Sequence, residues 1–246
     1  MLLAIDIGNT SIKFGVFDDD RLTSKFVIPT KREYAQADIE VAVNGKLKDG
    51  FSSAVVSSVV PEIDKEFSQF ISARFGVIAR FVTTRDNFDL TFNYSIVEAG
   101  TDRLVNSFAA SAKYGVPCIV IAFGTATTID VIDRRREHLG GLIAPGPLTT
   151  ARALDLVASK LPEVEIAEPP GVISTTTVTA IQSGVFYSQI GLVESSVPDI
   201  KSVIGNEARV IATGGFAHLI ADKCGSVDVV DIDLTLDGLR MLHSRG

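Results

Sequence analysis

Met1-Leu-Leu-Ala-Ile-Asp-Ile-Gly-Asn-Thr-Ser-Ile-Lys13 decides the fold: an apolar run that ends in a carboxylate and then turns through glycine. Leu2, Leu3, Ala4 and Ile5 show no alternation and are too few for a helix, so they predict a strand buried on both faces, with Asp6 at its mouth. Gly8 lets the chain turn back closely, and Asn9 and Thr10 offer side-chain and backbone donors. Ile12, Phe14 and Val16 then alternate with Lys13 and Gly15, so a second strand follows as a hairpin. Two readings of this turn stand side by side. Backbone N–H groups in a tight glycine turn form an anion-binding nest, and a neighbouring carboxylate can hold a hydrated Mg²⁺ on phosphate oxygens. An ordinary hairpin whose aspartate caps a turn carries the same letters.

Outward from this hairpin, Leu22 to Ile28 predicts a third antiparallel strand, closed by Pro29. A helix over 34–45, a strand at Ala54 to Val56, a helix from Pro61 through Ile71 and a strand over 78–83 complete an α/β unit. Asp86 to Ala99 has no clear period and predicts a loop carrying Tyr94, after which Gly100-Thr101-Asp102-Arg103 opens a helix. On spacing alone, Thr101 or Asp102 is a helix cap. The opening pattern then returns, with a strand at Cys118 to Phe123, a glycine turn at Gly124-Thr125, and strands at Thr127 to Ile132 and Leu139 to Ala144. This repeat predicts two similarly built halves, 1–115 and 116–246, with a ligand cleft between them. A helix from Leu148 to Lys160, a long helix after Thr177, a strand at Val210 to Ala212 and a third glycine turn at Thr213-Gly214-Gly215 follow.

A chain of 246 residues with 46% hydrophobic and 22% charged residues is long enough for a sizeable core. Its net charge of −7 argues against a nucleic-acid surface. The basic cluster Arg134-Arg135-Arg136 is expected at a solvated hairpin tip. The start of the chain lacks a signal-peptide pattern, no membrane span is evident, and two cysteines make neither a disulfide scaffold nor a zinc site, so a cytoplasmic protein is expected. His138, His218 and His243 have no cysteine or carboxylate at ligand spacing, and solvated or structural roles are expected for them.

Taken together, D-I-G-N-T at Asp6 to Thr10, G-T-D-R at Gly100 to Arg103, G-T-A-T-T-I-D at Gly124 to Asp130, G-G-x-I-A-P-G at Gly140 to Gly146, T-x-x-A-I-x-S-G at Thr177 to Gly184, T-G-G-F at Thr213 to Phe216 and L-T-L-x-G-L at Leu234 to Leu239 resemble the type III pantothenate kinases. That family belongs to the acetate and sugar kinase, heat-shock protein 70 and actin superfamily. The resemblance implies two ribonuclease-H-like (actin-like ATPase) domains with mixed sheets flanked by helices. It implies phosphorylation of pantothenate by ATP with Mg²⁺ to give 4'-phosphopantothenate, the first step towards coenzyme A, by a homodimer.

Carried over residue by residue, the resemblance implies an ATP-phosphate loop of Asp6, Ile7, Gly8, Asn9, Thr10, Ser11, Ile12 and Lys13, with Asp6 holding Mg²⁺ through water. Thr125, Gly214 and Gly215 join it as nucleotide contacts, Asp102 is the general base, and Tyr94, Gly100, Thr101, Asp102, Arg103 and Thr177 meet pantothenate. The chain departs from the pattern at Ala122, where the family carries an aspartate that binds an activating K⁺ or ammonium ion; a methyl group coordinates no cation. It also lacks the family's proline between Tyr94 and Gly100. Two alternatives are a non-catalytic relative acting as a regulator of the transcriptional-activator type and a kinase for another small hydroxy acid. Retention of Asp6, Asp102, Arg103, Thr125 and Thr177 favours catalysis, and the acidic charge disfavours direct DNA binding.

Overall fold

The computed structural model describes residues 1–158 and 160–245. Its strands are β1 (Leu2–Ile7), β2 (Ser11–Asp18), β3 (Arg21–Pro29), β4 (Ser53–Ser58), β5 (Ala79–Phe81), β6 (Thr91–Phe92), β7 (Cys118–Phe123), β8 (Ala126–Ile132), β9 (Glu137–Pro145), β10 (Arg209–Thr213) and β11 (Val229–Val230). The helices are α1 (Gln36–Val43), α2 (Asp64–Phe75), α3 (Thr101–Tyr114), α4 (Pro147–Val157), α5 (Thr177–Ile204), α6 (Ala217–Ala221) and α7 (Leu234–His243). Among the described residues no helix is long and apolar enough to cross a membrane. The helix expected over 148–160 ends at Val157, and Ser159 lies outside the described residues.

By packing, the chain divides into two compact units. The first comprises Met1–Asp89, Tyr94–Ala109 and the chain from Asp233 on; the second comprises Leu90–Asn93 and Ala110–Ile232. A cut at 115/116 therefore separates α7 from the sheet it covers.

In the first unit the sheet order is β3-β2-β1-β4-β5, with β1 antiparallel to β2 and parallel to β4. All six residues of β1 are buried, as its unbroken apolar run requires. Leu3, Ile5 and Ile7 point into one core with Ile39 of α1 and Phe67, Phe70 and Ile71 of α2. Because strand side chains alternate, Ala4 and Asp6 face the opposite side. There α7 lies against the sheet, its Leu236 reaching Gly15, and its Gly238 sits close on Val105 and Ala109 of α3.

The second unit repeats the plan. Its sheet order is β11-β10-β7-β8-β9-β6, with β8 antiparallel to both β7 and β9, and with β7, β10 and β11 parallel to one another, so β9-β8-β7-β10-β11 matches β3-β2-β1-β4-β5. Two short strands lie beyond what local pattern predicts: β11, and β6, which pairs parallel to β9 inside the segment read as a loop. Ile119, Ile121 and Phe123 pack with Phe186, Val193 and Val197 of α5 and with Ile220 of α6.

Candidate active site

In the first unit the opening turn is closed by Gly8 N–H donating to the Ser11 carbonyl at 3.1 Å. Thr30 clamps it from outside, its hydroxyl donating to the Gly8 carbonyl at 2.6 Å and its N–H to the Thr10 carbonyl at 3.0 Å. Asn9 and Thr10 are exposed. Ile7 and Ile12, by contrast, are fully buried core residues and present only backbone to a ligand.

Asp6 lies opposite Lys13 on β2 and opposite Ser57 on β4, so the three side chains form a row across one face at the mouth of the sheet. Asp6 is 6% exposed and its carboxylate is 3.5 Å from Lys13 Nζ. Burial pushes its pKa above the ordinary carboxylate range, and the Lys13 ammonium opposes this only in part.

The row joins the second motif through hydroxyls. The Thr101 hydroxyl donates to the Ser58 carbonyl at 3.1 Å, which leaves its oxygen to accept from Ser57 Oγ, also at 3.1 Å. The Gly100–Arg103 turn is thereby pinned to the strand beside Asp6. Asp102 stands in the first turn of α3, where Arg103 N–H donates to its Oδ1 at 2.9 Å and the helix N-terminus favours negative charge. A methyl group on Gly100 would stand 2.5 Å from that Oδ1, so this glycine makes the room the carboxylate occupies. Tyr94 is 40% exposed on the segment that precedes the turn.

In the second unit the Gly124–Thr125 turn occupies the place of Gly8–Asn9 in the first. Gly124 N–H donates to the Ala126 carbonyl at 3.1 Å, and the Thr125 carbonyl accepts from Gly146 N–H at 3.0 Å and from the Thr149 hydroxyl at 2.6 Å. A Cβ on Gly146 would fall 2.1 Å from the Gly124 carbonyl oxygen, so only glycine permits this approach. Gly214, at φ +97°, packs on the Phe123 backbone, and Phe216 N–H donates to the Phe123 carbonyl at 3.2 Å. The second and third glycine turns therefore abut, while Thr125 and Gly215 are exposed beside them.

Ala122 occupies the position on β7 that Asp6 holds on β1. Its neighbours on the same face are Thr128 of β8 and Thr213 of β10, and the Thr213 hydroxyl is buried with no hydrogen-bond partner. Thr177, exposed at the start of α5 beyond the Thr176 cap, lines a groove of about 440 Å³ with Thr150, Leu154, Ile181, Gly184 and Ser188.

His138 is buried, not solvated. It is 1% exposed, its Nδ1 accepts from Gly140 N–H at 3.2 Å, its Nε2 is 3.3 Å from Asp130 Oδ1, and the Phe92 ring of β6 packs on it. Sequence spacing missed this pair because register, not separation along the chain, joins β8 to β9. Ser57 was missed for the same reason; the only signal was a serine pair ending a core strand. The arginine tip is solvated at Arg134 and Arg135, whereas Arg136 turns in and donates to the Ser111 hydroxyl at 3.1 Å.

A family model described as type III pantothenate kinase matches residues 2–199. A type III pantothenate kinase of Roseiflexus sp. (strain RS-1) is 40% identical over 99% of this chain and 98% of its own. That of Halalkalibacterium halodurans is 36% identical over 100% and 99%. Among solved structures, a protein of Campylobacter jejuni described as a conserved Baf family transcriptional activator superposes with a TM-score of 0.61 at 19% identity, over 99% of this chain and 98% of its own, a likeness of fold. The motifs that meet at Ser57 and Thr101, the repeated glycine turns and relatives matched from end to end give one conclusion: the chain belongs to the type III pantothenate kinase family.

Proposed function

We propose that the protein transfers the γ-phosphoryl group of ATP to the primary hydroxyl of pantothenate, giving 4'-phosphopantothenate and ADP. The observation that carries this reading is the join of the Lys13–Asp6–Ser57 row to the Gly100–Arg103 turn through the Ser57–Thr101 hydrogen bond. It puts a phosphate-type turn and a candidate base on one scaffold.

The residues present suit a metal-bound triphosphate. Asp6 is a buried carboxylate whose charge Lys13 compensates only in part, and it would hold a hydrated Mg²⁺, which would supply neutralisation of the phosphate charge. The exposed Asn9–Thr10 tip of the first glycine turn offers donors to the phosphates and Lys13 adds a point charge; within the second unit, Thr125, Gly214 and Gly215 are the residues that match the family's nucleotide contacts. Asp102 takes the proton of the attacking hydroxyl as its oxygen bonds to phosphorus and the bond to ADP breaks. Arg103 grips the pantothenate carboxylate with its two-pronged guanidinium, and Gly100, Thr101 and Tyr94 line the same substrate; within the second unit, Thr177 is the residue that matches a pantothenate contact of the family.

The protein acts as a homodimer in the cytoplasm. Supporting the dimer, α5 leaves Val178 and Tyr187 exposed next to solvent-facing Ala180, Gly184 and Ser188, more than one buried stripe requires. The test is a coupled ADP-release assay with ATP, Mg²⁺ and pantothenate, run on the unmodified protein and on Asp102→Asn. Pantothenate-dependent ADP release that falls about 10²-fold in the variant is expected. Release that ignores pantothenate, or an unimpaired variant, refutes the reading.

A further inference from the structure

Gln189 is a polar side chain in the middle of the buried face of α5, between Val185, Phe186 and Val193, and is 3% exposed. An amide there is costly unless it is hydrogen-bonded. Its oxygen and its nitrogen each make a bond. The Thr127 hydroxyl donates to Gln189 Oε1 at 2.6 Å, which fixes the amide's orientation, and Gln189 Nε2 donates to the Pro145 carbonyl at 3.1 Å.

That carbonyl belongs to the same planar peptide unit as Gly146 N–H, which donates to the Thr125 carbonyl at 3.0 Å. One peptide plane is thus held at its oxygen end by Gln189 and at its N–H end by the Gly124–Thr125 turn. The contact is tight as well as bonded, since Gly146 has no room for a side chain against Gly124. An anion-binding turn must keep its carbonyl oxygens away from the anion and its N–H groups towards it. The plane that Gln189 orients, with the Thr149 hydroxyl, occupies the Thr125 carbonyl and so performs that task.

We infer that Gln189 is a positioning residue for the nucleotide phosphates, acting through the Pro145–Gly146 peptide on the Gly124–Thr125 turn. This rests on the reading of that turn as an ATP contact. A leucine of similar size would pack equally well at 189 but would leave the buried Thr127 hydroxyl without its partner and the Pro145 carbonyl with only the long 3.4 Å bond from the Thr150 hydroxyl, loosening the hold on the plane.

The experiment titrates Mg²⁺ with a non-hydrolysable ATP analogue, and separately pantothenate, into the unmodified protein and into Gln189→Leu, Gln189→Glu and Thr127→Val. Nucleotide affinity is expected to fall about tenfold in Gln189→Leu, the scale of one lost hydrogen bond, with pantothenate affinity within about twofold. Gln189→Glu carries its own control. As a carboxylate it cannot donate to Pro145, but as a neutral acid it has the donor and acceptor of glutamine, so its deficit should shrink as pH falls from about 8 to about 5.5. Should Gln189→Leu fail to fold, Gln189→Glu and Thr127→Val decide the matter. Unchanged nucleotide affinity, equal weakening of both ligands, or a pH-independent deficit in Gln189→Glu overturns the role of Gln189 alone. Failure of the unmodified protein to bind nucleotide overturns the ATP reading, and this role with it.

Discussion

Replacing Asp6 by asparagine should remove activity and yet strengthen the ligand-free fold. Two terms compete at this residue. At 3.5 Å the attraction to Lys13 is about 5 kcal/mol for an effective dielectric of 20, whereas taking a carboxylate and an ammonium out of water costs several kcal/mol each. Lys13 keeps 23% of its side chain in solvent and Asp6 keeps 9%, so the carboxylate bears most of the penalty. The raised pKa of Asp6 gives the sign: desolvation exceeds the help from Lys13. A folded-state pKa above the unfolded value of about 3.9 means that the native protein binds the extra proton. The contribution to stability is therefore fully present below the unfolded pKa and lost as pH rises through the folded one. Asparagine keeps the shape, has no charge to desolvate, and should raise stability near neutral pH by about 1 kcal/mol. Urea melts of both proteins from acid to neutral pH would measure it. The unmodified protein should lose stability relative to Asp6→Asn across that window, and Mg²⁺-ATP should stabilise the former alone. A variant less stable at neutral pH and equally stable in acid would show that the Lys13 ion pair wins, and the argument would fail.

Three further outcomes follow from the same geometry. Gly100→Ala places a methyl group 2.5 Å from Asp102 Oδ1; the carboxylate should swing aside, lowering kcat at least tenfold while urea stability changes by less than about 1 kcal/mol, and unchanged kcat would remove that constraint. Arg103→Lys exchanges a fork for a point charge and should raise KM for pantothenate more than KM for ATP; equal increases would count against a carboxylate grip. Ala122→Asp sets a carboxylate between Thr128 and the unpartnered Thr213 hydroxyl, which can donate to it, so the apo-stability should change by only about 1 kcal/mol and activation by K⁺ or ammonium should arise. Strong K⁺ activation of the unmodified protein would refute this account of Ala122.

What was legible in the sequence was what local pattern controls. The unbroken run Leu2 to Ile5, the glycine after Asp6 and the alternation through Val16 define β1, its turn and β2, and the recurrence of that pattern after Cys118 shows the duplication. What depends on pairing was hidden. β6 has two residues and no period of its own; it exists because Thr91 and Phe92 meet Glu137 and His138. The register shift between Val131 and Ile132 sets His138 opposite Ile132, on the face of Asp130, and leaves Leu139 outside, so alternation counted from Leu139 starts the strand two residues late and misses the buried pair. Ser57 became a site residue only when a parallel partner from fifty positions away was laid beside Asp6. Gln189, inside a mostly apolar stripe, gave no sign of its two hydrogen bonds.

The helix α7 bears on how the chain is made. Every strand of the first sheet has been synthesised by Phe81, yet the face bearing Ala4 and Gly15 awaits Leu234, Leu236, Leu239 and Leu242, all buried in the finished unit, each worth about 1.5 to 3 kcal/mol. At about 5 to 20 residues per second, some 150 intervening residues take roughly 8 to 30 s, during which that apolar surface is open to chaperones and to neighbouring nascent chains. A ribosome that stops shortly after Val230 would release a polypeptide holding every residue proposed for nucleotide, pantothenate or proton transfer, with the α7 face of its first sheet still uncovered. Closure of the N-terminal unit thus reports that translation has run through to α7, and proteolysis of an unclosed sheet would remove truncated copies before they could bind substrate.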